Sequence, residues 1–402
     1  MSDAAHSPTQ QSPGPLAGLR VLEFTQNVMG PSGGLVLADL GADVIKVEPA
    51  GGDTTRGLGG FASGFFAFLN RNKRGLAVDL KSAAGLKLIH RLAAKADIVI
   101  ENYAVGTMDR LGCGYDALSA INPRLIYCAM KGYLSGPYEH RAALDEVVQF
   151  QSGLAYMTGP LGRPLRAGAS VIDIMGGTFA AVAIMAALRD RDRTGKGQLV
   201  KSALYESAAY VMGTHMAGSA FNPGEKVLPM PERRGGWGVY QIFTSSDGKE
   251  LFVAATSDNL WQRFCAAFER PDLAADPRLA TNVDRVKNKS WLVPILVELL
   301  GTFTGAEIEK RCEGAGLPFA RVGDVEDLFV DPHLNLGGLV DTVLPNGVTT
   351  KLPKLPIELD GQRPGLRLEP PNIGQHSRAI LLEAGFSEDE ITTLTKDGIV
   401  TA

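Results

Sequence analysis

Asp173 is set apart by its neighbours. It closes an apolar approach, AGASVI, and after Ile174-Met175 come Gly176-Gly177 and an Ala-rich stretch running to Leu188. Two roles are open to it. As a helix N-cap it would accept free N–H groups from a helix beginning near Ile174. As a nucleophile it would attack an activated carbonyl. Gly176 and Gly177 would then let a ligand approach the backbone, and helix N-terminal amides would stabilise an oxyanion. The two roles are compatible. Motifs for rival chemistries are missing: no G-x-G-x-x-G follows a strand, and no P-loop, G-x-S-x-G elbow or H-E-x-x-H occurs. The histidines (His6, His90, His140, His215, His333, His376) have no metal spacing, so no metal site is expected. His90 reads as a structural helix residue and His376 as a helix-entry residue. Cys113, Cys128, Cys265 and Cys312 lie far apart, which fits a reducing cytosol better than a disulfide framework.

Such a site needs a scaffold. Leu19–Phe24, Val44–Val47, Leu76–Leu80, Asp97–Ile100 and Leu125–Met130 read as strands. Leu35–Leu40, after the Pro/Gly turn MGPSGG, and Ala83–Ala96 read as helices. The alternation predicts βαβ units and an α/β fold with a mainly parallel sheet. In the middle of the chain, Ile174–Leu188 and Leu199–Ser219 read as two long helices separated by DRDRTGKG. Beyond a Pro/Gly/Arg-rich loop, Val239–Thr244 and Leu251–Ala255 read as a hairpin turning at Asp247-Gly248. Helices are expected over residues 259–270 and 291–303. This strand-and-helix set marks residues 226–325 as a second domain. The tail carries a helix over SRAILLEAG and then a capping box, Ser387 with Glu390.

Composition narrows the function classes. The net charge of -4 argues against a nucleic-acid binder. The apolar stretch Ile174–Leu188 falls short of the roughly 20 residues a membrane span needs, so it is expected to be a buried helix. Residues 1–15 show no secretory pattern and read as a disordered lead-in. A cytoplasmic enzyme without membrane or nucleic-acid partners is the expectation.

In order along the chain come Gly18-Leu19-Arg20-Val21-Leu22-Glu23, Gly41-Ala42-Asp43-Val44-Ile45-Lys46-Val47-Glu48, Asn72-Lys73-Arg74, Glu101-Asn102-Tyr103 and Asp109-Arg110-Leu111-Gly112. Ser152-Gly153-Leu154, Asp173 with Gly176-Gly177, Thr194-Gly195-Lys196-Gly197-Gln198 and Gly374-Gln375-His376 follow. Each motif alone is weak, but the ordered set resembles the class III coenzyme A transferases, which include formyl-CoA transferase and carnitine CoA-transferase.

The resemblance implies a large Rossmann-like domain built from both chain ends (16–225 and 326–402), with the smaller α+β domain (226–325) inserted. It implies an interlocked homodimer. The family's catalytic aspartate falls on Asp173, which would pass through aspartyl-acyl anhydride and aspartyl-CoA intermediates. The CoA thioester is a substrate and no cofactor is permanently bound. The partners are an acyl-CoA and a small carboxylic acid. CoA contacts carry over to Val28, Met29, Val78, Asp79, Leu80, Lys81, Asn102, Tyr103, Ala104 and Arg110. Pro49 stands where the family has a CoA-contacting arginine, with Arg56, Arg71 or Arg74 as substitutes. Gly235, Gly236 and Gly238 match a mobile active-site loop. Arg233 and Arg234, with Arg163 and Arg166 upstream of Asp173, suggest recognition of a second carboxylate, hence a succinyl-CoA-type donor or a short dicarboxylate acceptor.

Two other readings stand beside this one. The related α-methylacyl-CoA racemases need a histidine where Leu144 precedes Asp145, and leucine cannot move a proton. A non-catalytic acyl-CoA-binding protein would keep the fold and dispense with Asp173.

Overall fold

The computed structural model describes residues 14–232 and 235–402. Short apolar runs, rich in Val, Ile and Leu, form six parallel strands: β1 (Arg20–Phe24), β2 (Asp43–Glu48), β3 (Lys73–Val78), β4 (Ile98–Glu101), β5 (Ile126–Lys131) and β6 (Leu199–Ala203). Their order across the sheet is β3-β2-β1-β4-β5-β6, and the terminal strand Val400–Thr401 adds antiparallel to β3. The runs are apolar throughout because both faces are covered. Leu22, Ile45, Leu76 and Val99 pack into one core with the helix Ala83–Ala93. Val21, Val44, Ile98 and Ile126 pack into the other.

That second core is built on three helices: α1 (Met29–Asp39), α2 (Asp145–Ser152) and α3 (Val171–Thr194). The MGPSGG stretch, expected as a turn, is the first turn and a half of α1. Pro31 lies early enough in the helix that its missing N–H breaks no bond. Its glycines serve close packing. A Cβ on Gly34 would lie 1.9 Å from Glu23 Oε2, and one on Gly33 would lie 3.1 Å from the Gly177 carbonyl oxygen.

At 24 residues α3 exceeds the expected stretch. Among the described residues it is the one single helix long and apolar enough to cross a membrane. Ile172, Ala180, Ala181, Ile184 and Ala187 bury its inner face in the core, while Ile174, Val182 and Met185 stay exposed. The single helix expected over Leu199–Ser219 is instead β6 followed by helices Leu204–Val211 and Gly213–Phe221. The open edge of β5 captures residues 199–203, with Tyr127 opposite Leu199, because sheet pairing satisfies backbone groups there.

The chain divides into two compact units. One is the chain up to Pro231 together with Pro332–Ala402; the other is Glu232–Asp331, shifted from the expected 226–325. Within the smaller unit, β7 (Val239–Thr244), β8 (Glu250–Ala255) and β9 (Phe319–Arg321) form an antiparallel sheet. Gly248 turns the hairpin at φ +75°. Trp261, Phe264, Leu292, Leu296 and Ile308 make its core. In the tail, Ser387 and Glu390 form both bonds of the expected capping box.

Candidate active site

The strand order reverses its progress at β1, which pairs with β2 on one side and β4 on the other. Open parallel sheets bind ligands beyond the carboxyl ends of their strands at such a reversal. A cavity of about 470 Å³ opens there, lined by Thr25 and Gln26 after β1, Pro49 and Asp53 after β2, Val78 to Lys81 after β3, and Tyr103 and Thr107 after β4.

Side-chain bonds fix this crevice. The Gln26 N–H donates to Asn102 Oδ1 at 2.9 Å, and Asn102 Nδ2 donates to the Gln26 carbonyl at 2.8 Å. Buried Lys46 meets Asp53 Oδ2 at 3.0 Å and donates to the Thr25 carbonyl at 2.9 Å. Buried Lys73 meets Glu23 at 2.8 Å, the Pro31 carbonyl at 2.9 Å and Asn70 at 3.0 Å. Burial pushes the Asp53 carboxyl up, but the Lys46 charge and the Thr55 hydrogen bonds outweigh it and hold the group below its ordinary value. Burial, with the charges of Asp53 and Glu101 added, pushes the Tyr103 hydroxyl up to about 12, so it remains a neutral phenol.

Asp173 lies in the first turn of α3, within the helix and not at its cap. The N-cap reading is therefore corrected. Ser170 makes no side-chain cap, and the free amides are taken from a distance. Asp145 Oδ2, on α2, accepts from the N–H of Ile172 at 2.8 Å and of Asp173 at 3.0 Å. Asp173 itself is half-buried, with the Met29 backbone amide of α1 near enough to its carboxylate to favour the charged form. Burial, then the Asp145 and Glu146 carboxylates, push its pKa up to about 7, against the opposing pull of Arg166 and the Met29 amide.

Gly176 and Gly177 do not open the backbone to a ligand. A Cβ on Gly176 would lie 2.6 Å from Met29 Cε, and one on Gly177 would lie 2.1 Å from Ser32 Oγ. Their smallness admits α1, and that approach carries the Met29 amide to Asp173. Gln26, on the cavity wall, and Met29 are separated by Asn27 and Val28 alone, so one short turn links the cavity to the carboxylate.

The structure gathers five of the expected CoA contacts, Val78, Asp79, Leu80, Lys81 and Tyr103, around the cavity. Asn102 is spent on the Gln26 backbone. Val28 and Met29 are buried, and Ala104 and Arg110 are exposed. Arg110 donates to Thr107, which lines the cavity. The proposed substitutes for an arginine at Pro49 are all engaged. Arg56 pairs with Glu48, buried Arg71 with Asp39, and Arg74 with Asp43 and Glu383. Arg166 is likewise tied to Glu146. Among the described residues that line the cavity, Lys81 is the one lysine or arginine.

In the smaller unit, Asn282 pins the glycine segment, donating to the Gly236 carbonyl at 2.8 Å and accepting from the Gly238 N–H at 3.1 Å. Arg233 and Arg234 lie outside the described residues. Among the described residues, no three His, Cys, Asp or Glu side chains gather as metal ligands. The sequence reading missed Gln26, Asp53, Thr54 and Thr107 on the cavity wall. Their one available signal was position just after a strand.

Comparisons with known proteins add a frame to this geometry. The family model described as CoA-transferase family III matches residues 16–377. The chain is 34% identical over 395 residues to mouse (Mus musculus) succinyl-CoA:glutarate CoA-transferase, covering 96% of this chain and 90% of the relative. It is 33% identical over 389 residues to succinate–glutarate CoA-transferase of Agrobacterium fabrum, covering 92% and 95% respectively. A solved CAIB/BAIF family protein from Brucella suis superposes with a TM-score of 0.81 at 33% identity, covering 92% of this chain and 99% of that one.

Proposed function

The chain belongs to CoA-transferase family III, and from that premise we propose that it moves coenzyme A between carboxylic acids with Asp173 as covalent nucleophile. The supporting observation is the half-buried Asp173 carboxylate in the first turn of α3, facing the Met29 amide of α1, with its pKa pushed up to about 7. A raised pKa makes the ionised carboxylate a better nucleophile while a large fraction stays ionised at neutral pH.

The steps balance without ATP. Asp173 attacks the donor thioester carbonyl, the C–S bond breaks, and the CoA thiolate leaves an aspartyl-acyl anhydride. The thiolate then attacks the aspartyl carbonyl and releases the donor acid, leaving an aspartyl-CoA thioester. The acceptor carboxylate displaces the thiolate to form a second anhydride. Attack of the thiolate on the acceptor's carbonyl gives the new acyl-CoA and frees Asp173. The amides that start α3 are already bonded, two of them to Asp145, so the Met29 amide of α1 beside Asp173 is the donor suited to stabilise each oxyanion.

In this reading the cavity at the strand ends holds the nucleotide end of CoA, with Lys81 as a phosphate partner. Residues 16–225 and 326–402 act as the CoA-binding domain, and 226–325 as an inserted domain whose Gly235, Gly236 and Gly238 border the substrate. The exposed apolar residues Val147 and Phe150 on α2 and Ile174, Val182 and Met185 on α3 support burial in a homodimer. Leu144 leaves the racemase reading without its histidine.

The two relatives named for succinate and glutarate favour a succinyl-CoA-type donor or a short dicarboxylate acceptor. Arg233 and Arg234 are the candidate ligands of the second carboxylate. A panel in which formate, acetate or carnitine-like acids outrun succinate and glutarate would overturn this preference.

Hydroxylamine trapping tests the nucleophile directly. Wild-type protein incubated with succinyl-CoA should carry a hydroxamate at Asp173 by mass spectrometry. Folded Asp173→Ala should carry none and should lose exchange by about 10⁴-fold or more. Normal turnover by that variant would end the proposal.

A further inference from the structure

The first turn of α3 is held by a partner that the transfer steps do not use. Asp145, 6% exposed, lies on α2 and accepts the two amides that bracket the reactive position, those of Ile172 and Asp173. Its other oxygen accepts from Gln149 Nε2. Gln149, fully buried, accepts in turn from the Ala167 N–H at 2.9 Å. The Asp145–Gln149 pair therefore clamps both ends of the approach to Asp173, residue 167 through Gln149 and residues 172–173 through Asp145.

We propose that Asp145 is a positioning residue for the transfer. From α2 it fixes the backbone beneath the nucleophile, and its carboxylate sets the pH range in which the nucleophile is ionised. This rests on Asp173 being that nucleophile.

Two physical effects follow from one side chain. An acceptor shared by two helix-start amides stops the first turn from fraying, so Asp173 is presented at a fixed angle. A second carboxylate so close disfavours ionisation of Asp173 by like-charge repulsion. The charged groups facing Asp173 are Asp145 and Glu146 from α2 and Arg166 from the preceding loop; α1 contributes the Met29 amide. Glu146 is neutralised in part by its ion pair with Arg166, whereas Asp145 has no basic partner in its hydrogen-bond set. Asp145 is thus the stronger lever of the two.

The buried pair offers a test that keeps its bonds. In Asp145→Asn/Gln149→Glu, the new amide nitrogen donates to the new carboxylate. The Asn oxygen still accepts from Ile172 and Asp173, and the other Glu oxygen still accepts from Ala167. The negative charge moves one hydrogen bond farther from Asp173. Measured as hydroxylamine-trapped acyl-enzyme formation from succinyl-CoA, the acidic limb of kcat/KM should move to lower pH. At pH 5.5 the swap should retain about 3- to 10-fold more of its own plateau rate than wild type does.

Asp145→Ala leaves both amides without their acceptor. It should lower kcat about 10-fold or more, with KM for succinyl-CoA within about 2-fold. An unmoved acidic limb in the folded swap, or a wild-type kcat in Asp145→Ala, overturns the proposal. Absence of any wild-type hydroxamate would instead refute the nucleophile itself, so the two failures are distinguishable.

Discussion

Two groups of acidic side chains lie near α1, and their chemistry differs in sign. At the strand ends, Glu23 and Asp53 are buried against Lys73 and Lys46. At the start of α3, Asp173 is half-buried beside two other carboxylates, Asp145 and Glu146. The first group has opposite charges at ion-pair distance and closes the structure around them. The second concentrates like charge, and the carboxylate there is held near the point of protonation. Paired burial builds a rigid wall, and like-charge burial builds a reactive group. α1 serves both, giving its Pro31 carbonyl to Lys73 and setting its Met29 amide beside Asp173.

The largest effect that would sharpen this contrast comes from breaking the paired group. Lys73→Met leaves buried Glu23 with Lys46 alone, at 3.9 Å, in place of the 2.8 Å Lys73 contact, and strips Asn70 and the Pro31 carbonyl of a donor. Urea unfolding should show a loss of about 3–5 kcal/mol. A loss under about 1 kcal/mol would mean the pair is not structural.

The opposite sign is expected at the other group. The folded pKa of Asp173, about 7, lies above its ordinary value of 3.8. Between those pH values the folded protein keeps a proton that the unfolded chain sheds, so wild-type stability falls as pH rises. Asp173→Asn cannot ionise. It should match wild type near pH 4 and exceed it at pH 8 by on the order of 1–3 kcal/mol, read from unfolding curves at both pH values. Asp53, with its pKa lowered, acts in the reverse sense, adding stability that is lost as pH falls through its folded pKa. A Lys73 and an Asp173 variant that both destabilise at every pH would break the comparison.

A smaller effect separates the wall from the ligand. Lys81 is exposed at the cavity and takes part in neither group. Lys81→Ala should raise KM for acyl-CoA about 10-fold with kcat unchanged, and unfolding should be unaffected. A drop in kcat with KM unchanged would remove Lys81 from CoA binding.

Much of this is legible in the sequence. The first five strands of the parallel sheet, the hairpin at Asp247-Gly248 and the capping box at Ser387 follow from local patterns that tertiary contacts did not override. Asp173 was singled out by its setting. The family followed from an ordered set of motifs, none of them decisive alone. The failures share a cause. MGPSGG reads as a turn by composition, yet it begins α1, and its glycines are there because Glu23 and Gly177 crowd any added Cβ. Residues 199–203 carry a helix-compatible pattern, yet an open sheet edge claimed them.

What the sequence determined by itself is whatever depends on neighbours a few residues away: periodicity, caps, turns and the isolation of one carboxylate. What only the tertiary structure decided is which distant groups meet. Asp145 caps a helix that begins 26 residues later, Gly176 and Gly177 yield to α1 and not to a ligand, and Arg56, Arg71 and Arg74 are consumed by carboxylates elsewhere in the chain. Hydrogen bonds and charges act over a few ångströms of space without regard to separation along the chain, so residue types could nominate Asp173, and only the fold could supply its partners.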